Sequence, residues 1–381
     1  MTLFGRGLLA GFECSSHRRM DGVRVDVIAS TRHDLLVADD YRRLLKQGIR
    51  VARDGVRWHC IEYERGRYDW SGFRSMFRAA DLTGIQIVWD LCHYGYPDHV
   101  DPWLPEFPER FAAFARRLAE MVRDESDMLP IYCPINEISF WSWAGGETGS
   151  MNPGAIGRGR ELKEQLARAA IMATHAIKSV DPRARFLCAE PIIEVVASLP
   201  EDAAAAVAYT QSQYDAADML LGMRRPELGG SSDCIDAIGV NFYPSNQWFL
   251  NSGAIPMGHH NYRPLQAMLR EVSDRYPGKE IVIAETGAEG SARSAWLHYV
   301  CDEVEAAREV GVPVTGICIY PILDYPGWEN ERPCEVGLFG GGPDRSIHTQ
   351  FLAELRRQQA RTSFSPARAR PPPLMRLTRS T

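Results

Sequence analysis

Short apolar runs alternate along the chain with longer segments in which apolar residues recur every three or four positions. Eight of the short runs predict parallel strands buried on both faces, and they cover residues 8–14, 49–58, 85–93, 130–136, 184–190, 235–243, 280–285 and 314–321. The longer segments predict amphipathic helices, which are regular over 111–122, 166–177 and 296–307 and less regular at about 38–47, 70–83, 204–221, 262–275 and 346–357.

The alternation of strands and helices predicts a fold class. Parallel strands need a crossover connection, and a helix after each strand supplies one. Eight such pairs predict a (β/α)8 TIM barrel as a single domain over residues 1–357. An open doubly wound sheet is the alternative, but no G-x-G-x-x-G motif follows the first strand. Residues 358–381 are rich in Arg, Pro and Ser without apolar periodicity, which predicts a disordered tail.

Composition and charge exclude several classes of protein. Hydrophobic residues make up 45% of the 381 residues, which is enough for a packed core, and the net charge of −6 argues against nucleic acid or an anionic membrane as partner. No signal-peptide pattern or long apolar run is found, so we expect a cytoplasmic protein without a membrane span. The nine cysteines contain no C-x-x-C pair and are interpreted as free thiols. No motif predicts a metal or a cofactor, and His259 and His260 are interpreted as loop residues.

Two of the predicted strands end directly in a glutamate. Glu137 closes PINE on the fourth strand and Glu285 closes IVIAE on the seventh, and the strand ends of this fold carry the catalytic groups. Two carboxylates that face each other across the barrel mouth suit glycosidic bond cleavage, in which one protonates the leaving oxygen and the other attacks the anomeric carbon or activates water. Arg53 would keep one carboxylate ionised, and an aromatic setting beside Trp141 and Trp143 would raise the pKa of Glu137.

Six segments in chain order resemble the retaining glycoside hydrolases of clan A, most closely glycoside hydrolase family 1, the β-glucosidase-like enzymes. The segments are RDGVRW (53–58), WDLCHYGYPD (89–98), PINE (134–137), AIGVNFYP (237–244), VIAETG (282–287) and LDYPGWE (323–329). The resemblance implies that Glu285 is the nucleophile and Glu137 the acid/base. It further implies a substrate-binding set in which Arg53 and Tyr243 contact the nucleophile, Asn136 binds the sugar 2-hydroxyl, and His93 and Trp328 contact the glycone.

The chain departs from the family pattern at the predicted sugar site. The glutamine that the family carries on its first strand has no counterpart in GFEC, where Glu13 is a candidate sugar ligand or a member of an ion network. The family's glutamate on the eighth strand falls on Gly327, with Glu329 nearby as a possible substitute. Glu190 also ends a strand and is not assigned to the site, and Asp90 is interpreted as structural. The identity of the sugar therefore stays open.

The reaction expected from these residues is hydrolysis of a small-molecule glycoside or oligosaccharide by double displacement. That mechanism predicts carboxyl groups about 5–5.5 Å apart. One alternative is a transglycosidase that transfers the sugar to another sugar or an alcohol. A second is a barrel that binds a saccharide without cleaving it, although a pure binder does not need both carboxylates. Trp141 and Trp143 are either a platform on which a sugar stacks or packing beneath the loop.

Overall fold

Eight parallel strands close into a barrel, and their order around the barrel is their order along the chain. The computed structural model describes residues 2–361. The strands are β1 (Gly7–Gly11), β2 (Val51–Gly55), β3 (Gln86–Asp90), β4 (Ile131–Cys133), β5 (Arg185–Pro191), β6 (Ala237–Asn241), β7 (Glu280–Thr286) and β8 (Val314–Ile319). The sheet closes because β1 pairs with both β2 and β8. The predicted TIM barrel is confirmed.

Helices follow the strands and surround the barrel. They are α1 (His33–Lys46), α2 (Ser71–Thr83), α3 (Phe107–Glu125), α4 (Gly159–Val180), α5 (Ala203–Gln211), α6 (Asp215–Leu220), α7 (Leu265–Arg275), α8 (Ala292–Glu309) and α9 (Thr349–Gln359). One-turn helices lie at Val27–Ser30, Trp58–Ile61 and Ile138–Trp141, the last continuing as a π-helix over Ser142–Glu147. Two-stranded pairs in the loops join Glu62–Glu64 to Arg67–Tyr68, Glu194–Val196 to Gln247–Phe249, and Tyr325–Pro326 to Pro333–Cys334.

The single helix expected over 204–221 is in fact two helices, α5 and α6, separated by a 3-10 turn at Ser212–Tyr214. Side chains that bond to the loop after β5 account for the break. Gln213 accepts from the backbone N–H of Ile193 at 2.9 Å, and Thr210 accepts from that of Val195 at 2.9 Å. Toward the end of the described range, α9 extends to Gln359, two residues past the expected end of the barrel domain at residue 357. Residues 362–381 of that predicted tail lie outside the described part.

Strand side chains alternate between two cores. Leu9, Val88 and Val282 point into the barrel and pack with one another, while their neighbours, such as Leu8 and Ile87, pack outward against the helices. This alternation is the period of two expected of strands buried on both faces. Within residues 2–361, none of the helices combines the length and the apolar character that a membrane span requires. The nine cysteines form no disulfide, and Cys60 is the exposed one.

A buried charge network ties the ends of β1 and β2 to α1 and to the loop before α9. His33 lies between Asp40 at 2.8 Å and Asp54 at 2.9 Å, and Arg345 donates two hydrogen bonds to Asp40 at 2.9 and 2.8 Å. The ring of His33 stacks on Phe12 with their centroids 3.7 Å apart. Asp54 directly follows Arg53 in the chain, and Phe12 directly precedes Glu13. The network therefore anchors the backbone next to these two residues of the barrel mouth.

Replacing Arg345 by methionine should destabilise the fold, because Asp40 then keeps a buried charge without its guanidinium partner. We expect the free energy of unfolding to fall by about 3–5 kcal/mol, measured by urea denaturation. Arg356→Met is the matched control: Arg356 is exposed on α9, and the loss of its charge should change the free energy by less than about 0.5 kcal/mol. Equal losses in the two variants would show that the network contributes nothing.

The same network should make stability depend on pH. Burial lowers the pKa of His33, but the charges and hydrogen bonds of Asp54 and Asp40 outweigh it and raise the pKa to about 9. A raised pKa stabilises the fold fully below the ordinary value of about 6.5, and this contribution is lost as the pH rises through about 9. We expect the free energy of unfolding to fall by about 3 kcal/mol over this range, and to fall much less in His33→Gln. A parallel decline in both proteins would contradict this assignment.

Candidate active site

The carboxyl ends of the barrel strands bring six of the seven predicted site residues into one hydrogen-bonded cluster. These six are Arg53, His93, Asn136, Glu137, Tyr243 and Glu285. The seventh, Trp328, lies beside the cluster on the loop after β8, where its ring approaches that of Tyr94. Residues from the ends of five strands and from the loop after β8 thus meet at one point, which is where this fold carries its functional sites.

Arg53 lies at the centre of the cluster and is almost completely buried. Its Nη2 donates to Asp90 at 2.6 Å and to Asn136 at 2.8 Å, and its Nη1 donates to Glu285 at 2.9 Å and to the backbone carbonyl of Ala284 at 2.9 Å. The guanidinium therefore links β2, β3, β4 and β7. Asp90, interpreted as structural from the sequence, is the second carboxylate that neutralises this arginine.

Glu285 reaches the site through an irregularity in β7. Relative to β6, the register shifts between Ile283 and Glu285, so that two residues of β7 lie opposite one step of β6. Ala284 points into the barrel core, and the extra residue turns the next side chain, Glu285, toward the mouth as well. A β-bulge commonly re-aims a side chain in this way. The second oxygen of Glu285, Oε2, accepts a hydrogen bond from the hydroxyl of Tyr243 at 2.8 Å.

Glu137 is placed by a left-handed backbone conformation. Its φ is +46°, and the one-turn helix Ile138–Trp141 begins directly after it. The turn directs the carboxyl back over the barrel, where Tyr94 donates its hydroxyl proton to Oε2 and Asn241 donates from Nδ2 to Oε1 at 2.9 Å. Both donors are neutral. Among the described residues, no arginine or lysine contacts Glu137.

The two glutamates therefore differ in their electrostatic surroundings. Burial raises the pKa of both carboxyl groups, and it raises that of Glu285 to about 7 although Arg53 lowers it. Their mutual repulsion also favours one proton on the pair rather than none. The guanidinium of Arg53 contacts Glu285 alone of the two, and this contact favours the ionised form of Glu285, whereas the hydrogen-bond donors to Glu137 are neutral.

Glu13 and His93 form the floor of the site next to Asp90. His93 donates from Nδ1 to Asp90 at 3.2 Å, and its Nε2 accepts from Nδ2 of Asn136 at 3.1 Å. The carboxylate of Glu13 accepts from the backbone N–H of Ser15 at 2.8 Å and lies 3.9 Å from His93 Nε2. Glu13 is thus a member of the site cluster rather than of a distant ion network.

An aromatic wall, formed by Tyr94, Phe140, Trp143 and Trp328, borders Glu137. Ring centroids are 5.8 Å apart between Tyr94 and Trp328 and 6.0 Å apart between Phe140 and Trp143. The side chain of Trp143 is 44% exposed and is accessible to a ligand. Trp141 is buried and packs beneath the loop. The buried ring of His17 packs against Trp328 with the ring centroids 5.1 Å apart. Burial lowers the pKa of His17 to about 4.

Two clusters in the described range carry side chains of the types that bind metals. One cluster lies in the site and consists of Cys14, Asp90 and His93. The other consists of Asp26 together with His59 and Cys60 of the one-turn helix Trp58–Ile61 after β2. In each cluster an arginine already neutralises the aspartate: Arg53 for Asp90 and Arg57 for Asp26. A metal ion at either position would lie against a guanidinium of the same sign. The donor sets therefore fit their protein partners better than they fit a cation.

Solved structures share the fold, whereas no family model and no curated protein matches the sequence. A family 1 β-glucosidase from Thermotoga maritima has a TM-score of 0.75 at 15% identity, over 93% of this chain and 98% of that one. A β-glucosidase from the same organism in complex with glucoimidazole has a TM-score of 0.76 at 16% identity, over 92% and 97%. The monomer of a hyperthermophilic β-glucosidase mutant has a TM-score of 0.71 at 16% identity, over 93% and 100%. The likeness is one of fold.

This likeness extends over nearly the whole length of both chains, and one of these proteins is a family 1 β-glucosidase, the family that the six sequence segments resemble. The expected resemblance is therefore confirmed at the level of the fold. The roles of individual residues remain predictions, because at this identity the fold says nothing about which side chains react.

Three residues close to Glu137 received no role from the sequence. Tyr94 and Asn241 bond to its carboxylate, and each stands within one or two positions of a predicted site residue, which was the available signal. Glu190, which the sequence left out of the site, accepts from the backbone N–H of Ser139 at 3.0 Å and holds the start of the one-turn helix after Glu137. Burial raises the pKa of Glu190 to about 7.

Proposed function

We propose that the protein is a retaining β-glycosidase, similar to β-glucosidases, that hydrolyses the O-glycosidic bond of small glycosides or oligosaccharides. The unequal surroundings of two buried glutamates at one barrel mouth carry this proposal. Glu285 is ion-paired with Arg53 at 2.9 Å. Glu137, among the residues described, accepts side-chain hydrogen bonds only from the neutral groups of Tyr94 and Asn241. Glycoside hydrolysis needs such a pair, one carboxylate ionised and one protonated.

In the first step, the carboxylate of Glu285 attacks the anomeric carbon while the bond from that carbon to the leaving oxygen breaks. Glu137 transfers its proton to the leaving oxygen, so that an alcohol departs and a glycosyl ester remains on Glu285. Arg53 supports the ionised nucleophile, and the hydroxyl of Tyr243 holds its second oxygen. Burial favours the protonated form of Glu137 before the reaction.

In the second step, water attacks the anomeric carbon of the ester. Glu137, now ionised, accepts a proton from this water, and the bond between the sugar and Glu285 breaks with return of the electron pair to the carboxylate. The sugar leaves with its original anomeric configuration, and both glutamates are restored. The hydrogen bonds of Tyr94 and Asn241 to Glu137 suit this step, because they stabilise the ionised form.

The charge of the floor favours a sugar without an acidic group. Glu13, Asp90 and Glu285 are carboxylates at the glycone side, and the guanidinium of Arg53 is already shared by two of them. Asn136 and His93 offer polar contacts for hydroxyl groups, and Trp328 offers an aromatic face for the apolar side of a sugar ring. A uronic acid would bring a further negative charge into this buried site.

The proposal predicts a covalent adduct on Glu285. Activated 2-deoxy-2-fluoro β-glycosides react at the nucleophile but are released slowly, so we expect intact-mass spectrometry to show one added sugar and peptide mapping to place it on Glu285. A neutral glucoside or galactoside reagent should label the protein, whereas the glucuronide should not. Glu285→Gln should abolish labelling. Glu280→Gln, at the opposite end of the same strand, should be labelled like the wild type. An adduct on another carboxylate, or none from any neutral reagent, would contradict the proposal.

Replacing the acid/base should make the rate depend on the leaving group. In Glu137→Gln the amide cannot protonate the departing oxygen, so kcat/KM for an alkyl β-glycoside should fall by about 10² to 10⁴-fold. A dinitrophenyl glycoside needs no proton, and its kcat/KM should change by less than about tenfold. Added azide should restore turnover of the dinitrophenyl substrate and yield a β-glycosyl azide. Equal losses on both substrates would indicate that Glu137 is not the acid.

Transfer to an acceptor other than water is the second candidate reaction. The half-exposed Trp143 lies next to Phe140 on the side of the acid/base, where an acceptor sugar would stack. The chemistry is the same except that an acceptor hydroxyl replaces water in the second step. Product analysis with and without an added disaccharide separates the two reactions, since a transglycosidase forms longer saccharides in preference to free sugar.

A further inference from the structure

A continuous chain of hydrogen bonds joins the two glutamates of the site. From Glu285 it passes to Arg53 at 2.9 Å, from Arg53 to Asn136 at 2.8 Å, and from Asn136 to the hydroxyl of Tyr94 at 3.2 Å. Tyr94 completes the chain by donating to Glu137. The sequence assigned roles to every member of this chain except Tyr94.

The direction of each bond follows from Arg53. A guanidinium has only donors, so the side chain of Asn136 must turn its oxygen toward Arg53, and its NH2 group then points at Tyr94 and His93. The hydroxyl oxygen of Tyr94 accepts from this NH2 group. Its own proton is therefore directed at Oε2 of Glu137.

The ring of Tyr94 has little freedom to turn away. The side chain is buried, and its ring is packed by His93 with centroids 4.6 Å apart, by Phe140 at 5.5 Å and by Trp328 at 5.8 Å. Its backbone has a φ of +66°, and its carbonyl accepts from Nδ2 of Asn152 at 3.0 Å. The hydroxyl is held in place before any substrate arrives.

We propose that Tyr94 is a positioning residue that holds the Glu137 carboxyl at the leaving oxygen and favours its ionised form through this hydrogen bond. The proposal rests on the function proposed above. It assigns to Tyr94 the task of keeping Glu137 able to act as base in the second step, against the burial that favours the protonated form. Through Asn136, Tyr94 is also linked by hydrogen bonds to Arg53, which contacts Glu285.

Other titratable groups face Glu137 from the neighbouring strands. They are His93 after β3, Glu190 on β5, Tyr243 after β6 and Glu285 on β7. Glu190 and Glu285 oppose ionisation of Glu137 by their charge. Asn241 and Tyr94 are the groups that bond directly to its oxygens, so removal of the Tyr94 hydroxyl should have a distinct effect on its titration.

The test is the pH dependence of kcat/KM in Tyr94→Phe, which keeps the ring and removes the hydroxyl. With an alkyl β-glycoside the basic limb reports loss of the Glu137 proton, and we expect it to move to higher pH by about one unit, because the carboxylate has lost a donor. With a dinitrophenyl glycoside, kcat/KM should change by less than about threefold. Tyr96→Phe makes the same chemical change in the same loop away from Glu137 and should leave the basic limb in place.

A double-mutant cycle shows whether Tyr94 acts through Glu137. In a Glu137→Gln background, Tyr94→Phe should change neither kcat/KM for the alkyl β-glycoside nor its pH profile any further, whereas with Glu137 present it moves the basic limb. A basic limb that does not move in Tyr94→Phe, or an equal loss in both backgrounds, would overturn the proposal and leave Tyr94 as packing. Failure of the proposed function is a separate result: the wild type would then cleave no glycoside, whatever residue stands at 94.

Discussion

The buried guanidinium of Arg53 is the interaction on which the barrel mouth depends. A buried cation is costly unless its charge and its donors are all matched, and here Asp90 and Glu285 match the charge while Asn136 and a backbone carbonyl accept the remaining bonds. These partners come from three different strands, so one side chain sets the relative orientation of all of them. Removing any one partner would leave a buried donor of Arg53 without its acceptor, which is costly.

The same guanidinium makes two chemically identical side chains unequal. Glu137 and Glu285 are both buried glutamates at strand ends, and burial acts on both in the same direction. What differs is how the backbone presents them: a bulge in β7 turns Glu285 toward Arg53, and a left-handed residue followed by a one-turn helix directs Glu137 toward neutral donors. In the proposed function, this difference in placement alone gives one residue type the roles of acid and nucleophile.

Much of this was accessible before the structure. All eight strands and the regular helices lie where apolar periodicity predicted them, because burial on both faces leaves a continuous apolar run and burial on one face leaves a stripe. The division of one predicted helix into α5 and α6 was not accessible, since it depends on Gln213 bonding to a loop about twenty residues earlier. Likewise, nothing in the spacing of Trp141 and Trp143 indicated which indole would be buried.

The sequence by itself determined the barrel, the strand ends that carry glutamate, and the polar residue types that surround them. Those features are local: they follow from the period of apolar residues and from which residue closes each run. Only the tertiary structure decided which side chains touch Glu137 and Glu285. Arg53 and Glu285 are 232 positions apart, and Asn241 and Glu137 are 104 apart. Contacts over such distances depend on closure of the barrel and on the β7 bulge, which no local pattern reports.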